Sequence, residues 1–271
     1  MFECDQLVYV QMQKTGCTHI TSLLSQLFEG RHIGKHYPAS EEQISSQKYF
    51  LSSIRNPWDW YVSLWTYGVQ GNGGLRQRLT EDRKLFRSFL KTIRNPLKER
   101  SAFFDEWSRD VKSFRKLYDR DDNVESFRRW LAMIHNPANQ RFLGEEYRET
   151  VIAEFCGFMT YRYLRLCCRN RSVLDDRRLV SSHRDIVTFD QENCYIDFFI
   201  RQESLEQDFC EAVENVRPLS KQEKESIFAA GKSNTSSRAL TVLEYYDSQS
   251  IELVAKREKF LIDKFGYSPP E

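Results

Sequence analysis

The stretch VYVQMQKTGCTHITSLL, from Val8 to Leu24, changes from one structural pattern to another without a gap. Residues 7–12 are largely apolar and contain no Gly or Pro, which predicts a short buried strand. Residues 18–28 place Ile20, Leu23 and Leu27 at helical spacing, which predicts an amphipathic helix. The segment KTGCT therefore puts a cation, hydroxyl groups and a glycine at a turn from strand to helix.

A turn of this composition is suited to an anion. Backbone N–H groups at a helix start, together with the helix dipole, attract negative charge. Gly16 allows close approach of the backbone, Lys14 adds a full positive charge, and the hydroxyls of Thr15 and Thr18 add donors beside Cys17. The order of residues does not fit the Walker A loop, because the Lys precedes the Gly and no Gly lies five residues upstream.

A second strand-to-helix turn follows at YFLSSIRNPW. Residues 49–54 predict a strand, and Pro57 suits the first turn of a helix that extends to about residue 67. Arg55 projects from the strand's carboxyl end and Ser63 lies two turns into the helix, so both can reach one phosphate monoester. The copy of IRNP at residues 93–96 follows a helical pattern and lacks a Ser at the equivalent offset. We interpret that copy as a helix terminus without function.

Composition limits the class of protein. The chain has 271 residues, a formal net charge of +1, 40% apolar residues and 14% aromatic residues, which predicts a folded domain without the charge footprint of a nucleic-acid binder. Seven cysteines without a C-x-x-C pair predict reduced thiols and a cytoplasmic location. The sequence shows neither an apolar run of transmembrane length nor a signal-peptide pattern.

The order of elements predicts an α/β fold. Residues 75–180 are mostly helical in pattern and rich in Arg and Lys, either as solvated helix faces or as a rim that attracts an anionic acceptor. Strand character returns over residues 194–201, and a helix follows from 204 to about 216. Strands alternating with helices predict a central parallel sheet covered on both faces.

The two turns together resemble those of the sulfotransferases that use 3′-phosphoadenosine 5′-phosphosulfate (PAPS). In that family a K-[TS]-G-[TS]-like loop binds the 5′-phosphosulfate, and an R-x-P-x-x-x-x-x-S-like segment binds the 3′-phosphate. Here Gln13 replaces the usual Pro before the Lys, and Cys17 stands where a small or hydroxyl residue is common. The segments NPANQRFL at 136–143, DFFIRQESLEQD at 197–208 and FGY at 265–267 are similar to its carbohydrate-type branch, sulfotransferase family 2-like.

The resemblance implies a P-loop-like, three-layer α/β/α fold with a large, mostly helical insertion. It implies a single sulfotransferase domain over residues 1–271, with a nucleotide-binding core at about 5–68 and 190–271 and a helical, acceptor-side region at about 69–189. The implied reaction moves a sulfuryl group from PAPS to a hydroxyl of a carbohydrate, glycoconjugate or small molecule, without a metal, a nucleic-acid partner or a membrane span. Lys14, Thr15, Gly16, Cys17, Thr18, Arg55 and Ser63 are the implied donor-binding residues.

The catalytic residues and a late loop are further candidates for the site. Lys14 is the candidate for charge stabilisation on the leaving phosphate, and His36 is the candidate general base, with Glu41 or Glu42 as alternatives. The loop GKSNTSSR at 231–238 resembles one that closes over the nucleotide, which adds Ser233 and Arg238, although a polar linker before a helix has the same composition.

Two other functions remain open at this point. An ATP-dependent, P-loop-like phosphotransferase requires Mg²⁺ and a Walker B acid. An inactive nucleotide-binding homologue binds the product nucleotide, 3′-phosphoadenosine 5′-phosphate (PAP), without turnover.

Overall fold

The computed structural model describes residues 1–83, 93, 103–144, 146–230 and 238–271, and it is an α/β structure. Its sheet has five strands in the order β3-β1-β2-β4-β5. The strands are β1 (Phe2–Cys4), β2 (Leu7–Val10), β3 (Gly30–His32), β4 (Tyr49–Ile54) and β5 (Phe198–Arg201). The three strands behind the predicted parallel sheet, β2, β4 and β5, are parallel, but the sheet as a whole is mixed because β1 runs antiparallel to both β2 and β3.

The three strands that carry the nucleotide-type motifs are parallel. Val10 of β2 lies opposite Ser52 of β4, and Ile54 of β4 lies opposite Arg201 of β5. Because the carboxyl ends of parallel strands meet at one edge of a sheet, the turns after β2 and β4 are neighbours. This register places Lys14 and Arg55 on the same side of the molecule.

Alternate residues of β2 pack into two different hydrophobic clusters. Val8 and Val10 belong to one cluster, and Leu7 and Tyr9 belong to the other. All four side chains are fully buried, as a strand with both faces covered requires. The first cluster includes aromatic residues such as Trp60, whereas the second is formed largely by the helices after β2 and β5.

The helices surround this sheet and extend away from it between residues 57 and 193. They are α1 (Cys17–Leu27), α2 (Glu41–Ile44), α3 (Pro57–Val69), α4 (Gly74–Thr80), α5 (Val111–Lys116), α6 (Val124–His135), α7 (Gln140–Leu143), α8 (Phe158–Cys167), α9 (His183–Asn193), α10 (Leu205–Glu214), α11 (Lys221–Ala229), α12 (Val242–Tyr245), α13 (Ser248–Arg257) and α14 (Lys259–Phe265). Across the described ranges, every helix is too short or too polar to cross a membrane.

The two helices that follow the motif turns begin differently. At α3, Asn56 accepts a hydrogen bond from the Trp58 N–H, and Asp59 lies in the first turn. At α1, Gly16 occupies the N-cap position without a side-chain cap, and the first turn contains no acidic residue. The backbone donors at the start of α1 are therefore available to an anion from outside.

Candidate functional site

The turn before α1 has an unusual backbone. Lys14 has φ 63°, and Gly16 has φ 80°. The left-handed conformation favours glycine, and a Cβ atom at Gly16 would also lie 2.7 Å from Cδ1 of Leu205 on α10 and force that side chain to move. A left-handed Lys costs free energy, and such conformations cluster at functional sites.

The hydroxyl of Thr15 does not face the ligand side of the turn, which corrects its expected role as a donor. The side chain is fully buried, and its hydroxyl donates to the carbonyl oxygen of Met12 at 2.8 Å. The same oxygen lies 2.7 Å from Oγ of Ser53, which in turn contacts the Tyr9 hydroxyl at 2.7 Å. Thr15 thus ties the turn to strands β2 and β4, and only its backbone remains available to an anion.

Arg55 and Arg238 share one carboxylate, that of Asp59. Nε of Arg55 donates to Asp59 Oδ2 at 2.6 Å, and Nη1 of Arg238 donates to Asp59 Oδ1. Nη1 of Arg55 also donates to the Lys14 carbonyl oxygen at 3.1 Å, which joins the two motif turns directly. Two guanidinium groups on one carboxylate leave a net positive charge at this position.

A cleft of about 990 Å³ opens between these turns and the helical region. Every described residue predicted to bind the donor lines this cleft except Thr15, and the candidate base His36 lines it too. The lining residues among these predictions are Lys14, Gly16, Cys17, Thr18, Arg55, Ser63, Arg238 and His36. The charged lining residues in the described part of the chain are all basic: Lys14, Lys35, Arg55, Arg76, Arg78, Arg162, Arg165 and Arg238. The volume and the charge suit a polyanionic ligand the size of a nucleotide.

The Lys14 ammonium is electrostatically perturbed. Burial, assisted by the nearby positive charges of Arg55 and Arg238, lowers its pKa to about 8. Its Nζ lies 3.9 Å from the ring centroid of Tyr67, a cation–π contact that favours the charged form. A phosphosulfate or phosphate in the cleft would raise the pKa of Lys14 again by pairing with the ammonium.

A hydrogen bond gives His36, which lines the cleft, the tautomer that a general base needs. Its Nδ1 lies 3.1 Å from the carbonyl oxygen of Gln11, and because a carbonyl only accepts, Nδ1 carries the proton. Nε2 is then the unprotonated nitrogen. Burial, opposed by this hydrogen bond and assisted by the charge of Arg162, lowers the pKa of His36, so the ring is neutral at pH 7. The residue also has a left-handed backbone, with φ 62°.

The remaining donor-site candidates differ in exposure. Ser63 is buried in α3 and turned to the cleft wall, Cys17 is half-buried, and Thr18 is exposed at the start of α1. Burial raises the pKa of the Cys17 thiol, which keeps it neutral. Ser233 lies outside the described residues, as do residues 94–96 of the second IRNP segment.

The alternative bases occupy a different place. Glu41 and Glu42 are exposed in the first turn of α2, whose N-terminus is closed by a capping box from Ser40, and neither lines the cleft. The geometry therefore favours His36 over these two carboxylates.

Several residues in the cleft or bonded to its lining were not singled out by the sequence pattern. Asp59, which pairs with the lining residues Arg55 and Arg238, could have been found from its i,i+4 spacing to Arg55 on a helix start. Arg76 and Arg78 come from α4, and Arg162 and Arg165 come from α8. Their convergence depends on how the helical region packs, for which the local sequence carries no signal.

Comparison of the chain with protein-family models, with curated proteins and with solved structures found no match in any of the three.

Proposed function

We propose that the protein is a PAPS-dependent sulfotransferase that transfers a sulfuryl group to a hydroxyl. The observation that carries the proposal is the pairing of two strand-end turns across adjacent parallel strands, with the Arg55 guanidinium bonded to the Lys14 carbonyl at 3.1 Å. This pairing gives one cleft two anion-binding positions. A nucleotide with phosphate groups at both its 3′ and 5′ positions matches such a pair.

The proposal includes a P-loop-like, three-layer arrangement of the core. Support comes from β2, whose alternate residues pack into separate hydrophobic clusters on the two faces of the sheet. The left-handed Gly16 between β2 and the uncapped start of α1 supports a phosphate-binding turn of the same general kind. The antiparallel pair β1 and β3 is then an addition at one edge of the parallel strands.

Each residue has a role in the transfer step. Lys14 and the backbone N–H groups of residues 16–18 bind the 5′-phosphosulfate and stabilise the charge that develops on the leaving phosphate. Arg55, Arg238 and Ser63 bind the 3′-phosphate. The acceptor oxygen forms a new bond to sulfur as the bond between sulfur and the bridging phosphate oxygen breaks. The acceptor proton passes to Nε2 of His36.

The acceptor side of the cleft favours a hydroxyl compound that itself carries negative charge. Arg76 and Arg78 of α4 line this side with Arg162 of α8, and the guanidinium of Arg162 is held over the Phe158 ring at 4.3 Å. An acidic carbohydrate or glycoconjugate fits this wall better than a neutral one, because fixed cations of one sign attract the opposite charge. We also propose the cytoplasm as the compartment, since all seven cysteines are free thiols.

An ATP-dependent phosphotransferase is the competing function. Mg²⁺ in such sites is held by carboxylates together with the substrate phosphates. The charged residues described in this cleft wall are Lys and Arg alone, which favours a donor that binds without a divalent cation.

The first experiment compares PAP with Mg·ATP by isothermal titration calorimetry on the wild type and on Lys14→Ala. We expect PAP to bind the wild type at least ten times more tightly than ATP, and Lys14→Ala to weaken PAP binding by roughly 10- to 100-fold, the loss of one charge-assisted contact. Lys259→Ala is the matched control, because this exposed Lys on α14 pairs with Asp263 and neither residue lines the cleft. A preference for Mg·ATP would overturn the proposal.

The second experiment measures transfer of labelled sulfate from PAPS to a panel of neutral and acidic hydroxyl acceptors. We expect His36→Ala to reduce turnover by roughly 10²- to 10⁴-fold, the usual contribution of a general base, while PAP affinity stays unchanged. Glu41→Gln is the control and retains turnover. PAP binding without transfer to any acceptor would identify an inactive homologue, and full activity of His36→Ala would reassign the base.

A further inference from the structure

Cys168 and Cys194 face each other outside the cleft. Cys168 follows the last residue of α8, and Cys194 follows the last residue of α9. The two residues form an isolated antiparallel bridge. The Arg169 N–H donates to the Asn193 carbonyl at 3.0 Å on one side, and the Tyr195 N–H donates to the Cys167 carbonyl at 3.0 Å on the other.

This hydrogen-bond pattern defines a non-hydrogen-bonded pair, in which the two side chains stand close together. Cα atoms in such pairs are about 4.5 Å apart, and disulfides span Cα separations of roughly 4.4–6.8 Å. The two sulfur atoms lie within 4.8 Å of each other in the structure. A disulfide can therefore form here with little movement of the backbone.

The two thiols differ in accessibility and acidity. Cys168 is 1% exposed, whereas Cys194 is half-buried and open to a small molecule from solvent. A hydrogen bond from the Cys168 thiol lowers the pKa of Cys194 to about 7, and the same interaction raises the pKa of Cys168. Cys194 is thus the sulfur that can attack first, and Cys168 is held beside it as the second partner.

We propose that Cys168 and Cys194 form a reversible redox-modification site that a hydroperoxide converts to a disulfide. The Cys194 thiolate attacks a peroxide oxygen, the O–O bond breaks, and protonation releases water or an alcohol and leaves a sulfenic acid on Cys194. The Cys168 thiol then attacks that sulfur, its proton passes to the sulfenic oxygen as the S–S bond forms and the S–O bond breaks, and the oxygen leaves as water. Each disulfide formed consumes one peroxide, which accepts the two electrons that the thiols lose.

A metal site made from the same group is the competing assignment. Asp190 lies within the same 4.8 Å set of atoms, and a Cys–Asp–Cys group has donors that zinc accepts. Both carboxylate oxygens of Asp190 are already engaged, one by the Tyr163 hydroxyl at 2.7 Å and the other by the Lys264 ammonium. A cation at that oxygen would have to displace the ammonium, so the geometry favours the disulfide.

The test treats the full-length, reduced protein with equimolar hydrogen peroxide, blocks free thiols, and maps the tryptic peptides by mass spectrometry. Trypsin leaves Cys167 and Cys168 on one peptide, residues 166–169, and Cys194 on another, residues 185–201. We expect these two peptides to be linked with the loss of two hydrogen atoms, and dithiothreitol to separate them. Cys167→Ser assigns the bond, because this variant keeps the linkage only if Cys168 makes it.

Two further variants separate the steps of the reaction. In Cys168→Ser we expect the linkage to disappear and a sulfenic acid to accumulate on Cys194, where a cyclic 1,3-diketone captures it. In Cys194→Ser we expect neither product on this pair. Absence of the linked peptides in the folded wild type would overturn the proposal. Stoichiometric Zn²⁺ binding that blocks peroxide oxidation in the wild type, but not in Asp190→Asn, would also overturn it and assign a metal site.

Discussion

Asp59 and Glu258 are two carboxylates that are buried to different extents and have different hydrogen-bond partners. Asp59 is half-buried beside the cleft and accepts hydrogen bonds from the guanidinium groups of Arg55 and Arg238. Glu258 is fully buried and accepts from Tyr61, from the N–H groups of residues 159 and 160, and from the Thr160 hydroxyl. The group around Asp59 carries excess positive charge, and its two arginines line the cleft, whereas the hydrogen-bond partners of Glu258 all lie in the protein interior.

The difference shows how a buried charge becomes part of a binding site. Glu258 closes the start of α8, where its negative charge suits the helix dipole and satisfies backbone donors. Burial raises the pKa of Glu258, and the surrounding hydrogen bonds oppose that shift. Around Asp59 the positive partners outnumber the carboxylate, so an anionic ligand completes the group. The predictions below separate these two situations.

The largest expected effect is that of Glu258→Ala. Removing the carboxylate leaves the N–H groups of residues 159 and 160 and the Thr160 hydroxyl buried without their acceptor, so we expect the free energy of unfolding to fall by about 3–5 kcal/mol. Urea denaturation measures this loss in the free energy of unfolding. PAP should raise the melting temperature of this variant by as much as that of the wild type. A smaller increase would make Glu258 part of the binding site.

Arg55→Ala should affect binding more than folding. Loss of one charge-assisted contact costs about 1.5–3 kcal/mol of PAP affinity, measured by calorimetry. Arg129→Ala is the matched control, since Arg129 forms an i,i+4 ion pair with Glu125 on α6, as Arg55 does with Asp59, but is exposed. Equal losses in the two variants would mean that the effect is general and not specific to the cleft.

Asp59→Asn should reduce the free energy of unfolding by about 1–2 kcal/mol, because Arg55 and Arg238 then repel each other without their shared carboxylate. We expect saturating PAP to reduce the difference in stability between this variant and the wild type, since the phosphate of PAP supplies the missing negative charge. Thermal melts with and without PAP measure this. If PAP instead increases this difference in stability, Asp59 mainly orients Arg55 and Arg238 for binding.

The smallest expected effect is a gain in stability for Lys14→Met. The folded-state pKa of Lys14 is about 8, below its ordinary value of 10.5, so the folded protein bears a cost for the ammonium below pH 8. The unfolded chain stays protonated between these pH values, and stability therefore rises with pH across that window. At pH 7 we expect the variant to be more stable by under ~1 kcal/mol, because the group is partly screened by water.

The same pair of proteins gives a pH test. The advantage of Lys14→Met should shrink as pH increases from about 8 to 10.5, as measured by urea denaturation at pH 7 and pH 10. A variant that is less stable than the wild type at pH 7 would show that the contact of Lys14 with the Tyr67 ring outweighs the cost of burial.

The parts of the fold with a strong local pattern could be predicted from the sequence. Strand β4 (Tyr49–Ile54) has the predicted bounds, and α1 begins and ends one residue earlier than predicted. Strand β3 (Gly30–His32) was missed because all three residues are exposed and carry no apolar alternation. Residues 194–197 were predicted as strand, but Cys194 instead pairs with Cys168, a contact that depends on α8 and α9.

The same distinction applies to the cleft. Lys14 and Arg55 could be placed together because both follow strands of one parallel pair, and that reasoning needs only local patterns and sheet geometry. The inward turn of Thr15 depends on a hydrogen bond to Ser53 of a different strand. The joining of Arg238 to Asp59 spans most of the chain, so no local spacing could indicate it.

The purely basic charged lining of the cleft, in the described part of the chain, affects the charge distribution of the whole molecule. The chain carries a formal net charge of +1, while the cleft gathers many cations, so the remainder must be net negative. Positive charge is therefore concentrated on one side of the molecule, and its electrostatic field should steer an anionic ligand toward the cleft. Its rate of ligand capture should therefore depend steeply on ionic strength.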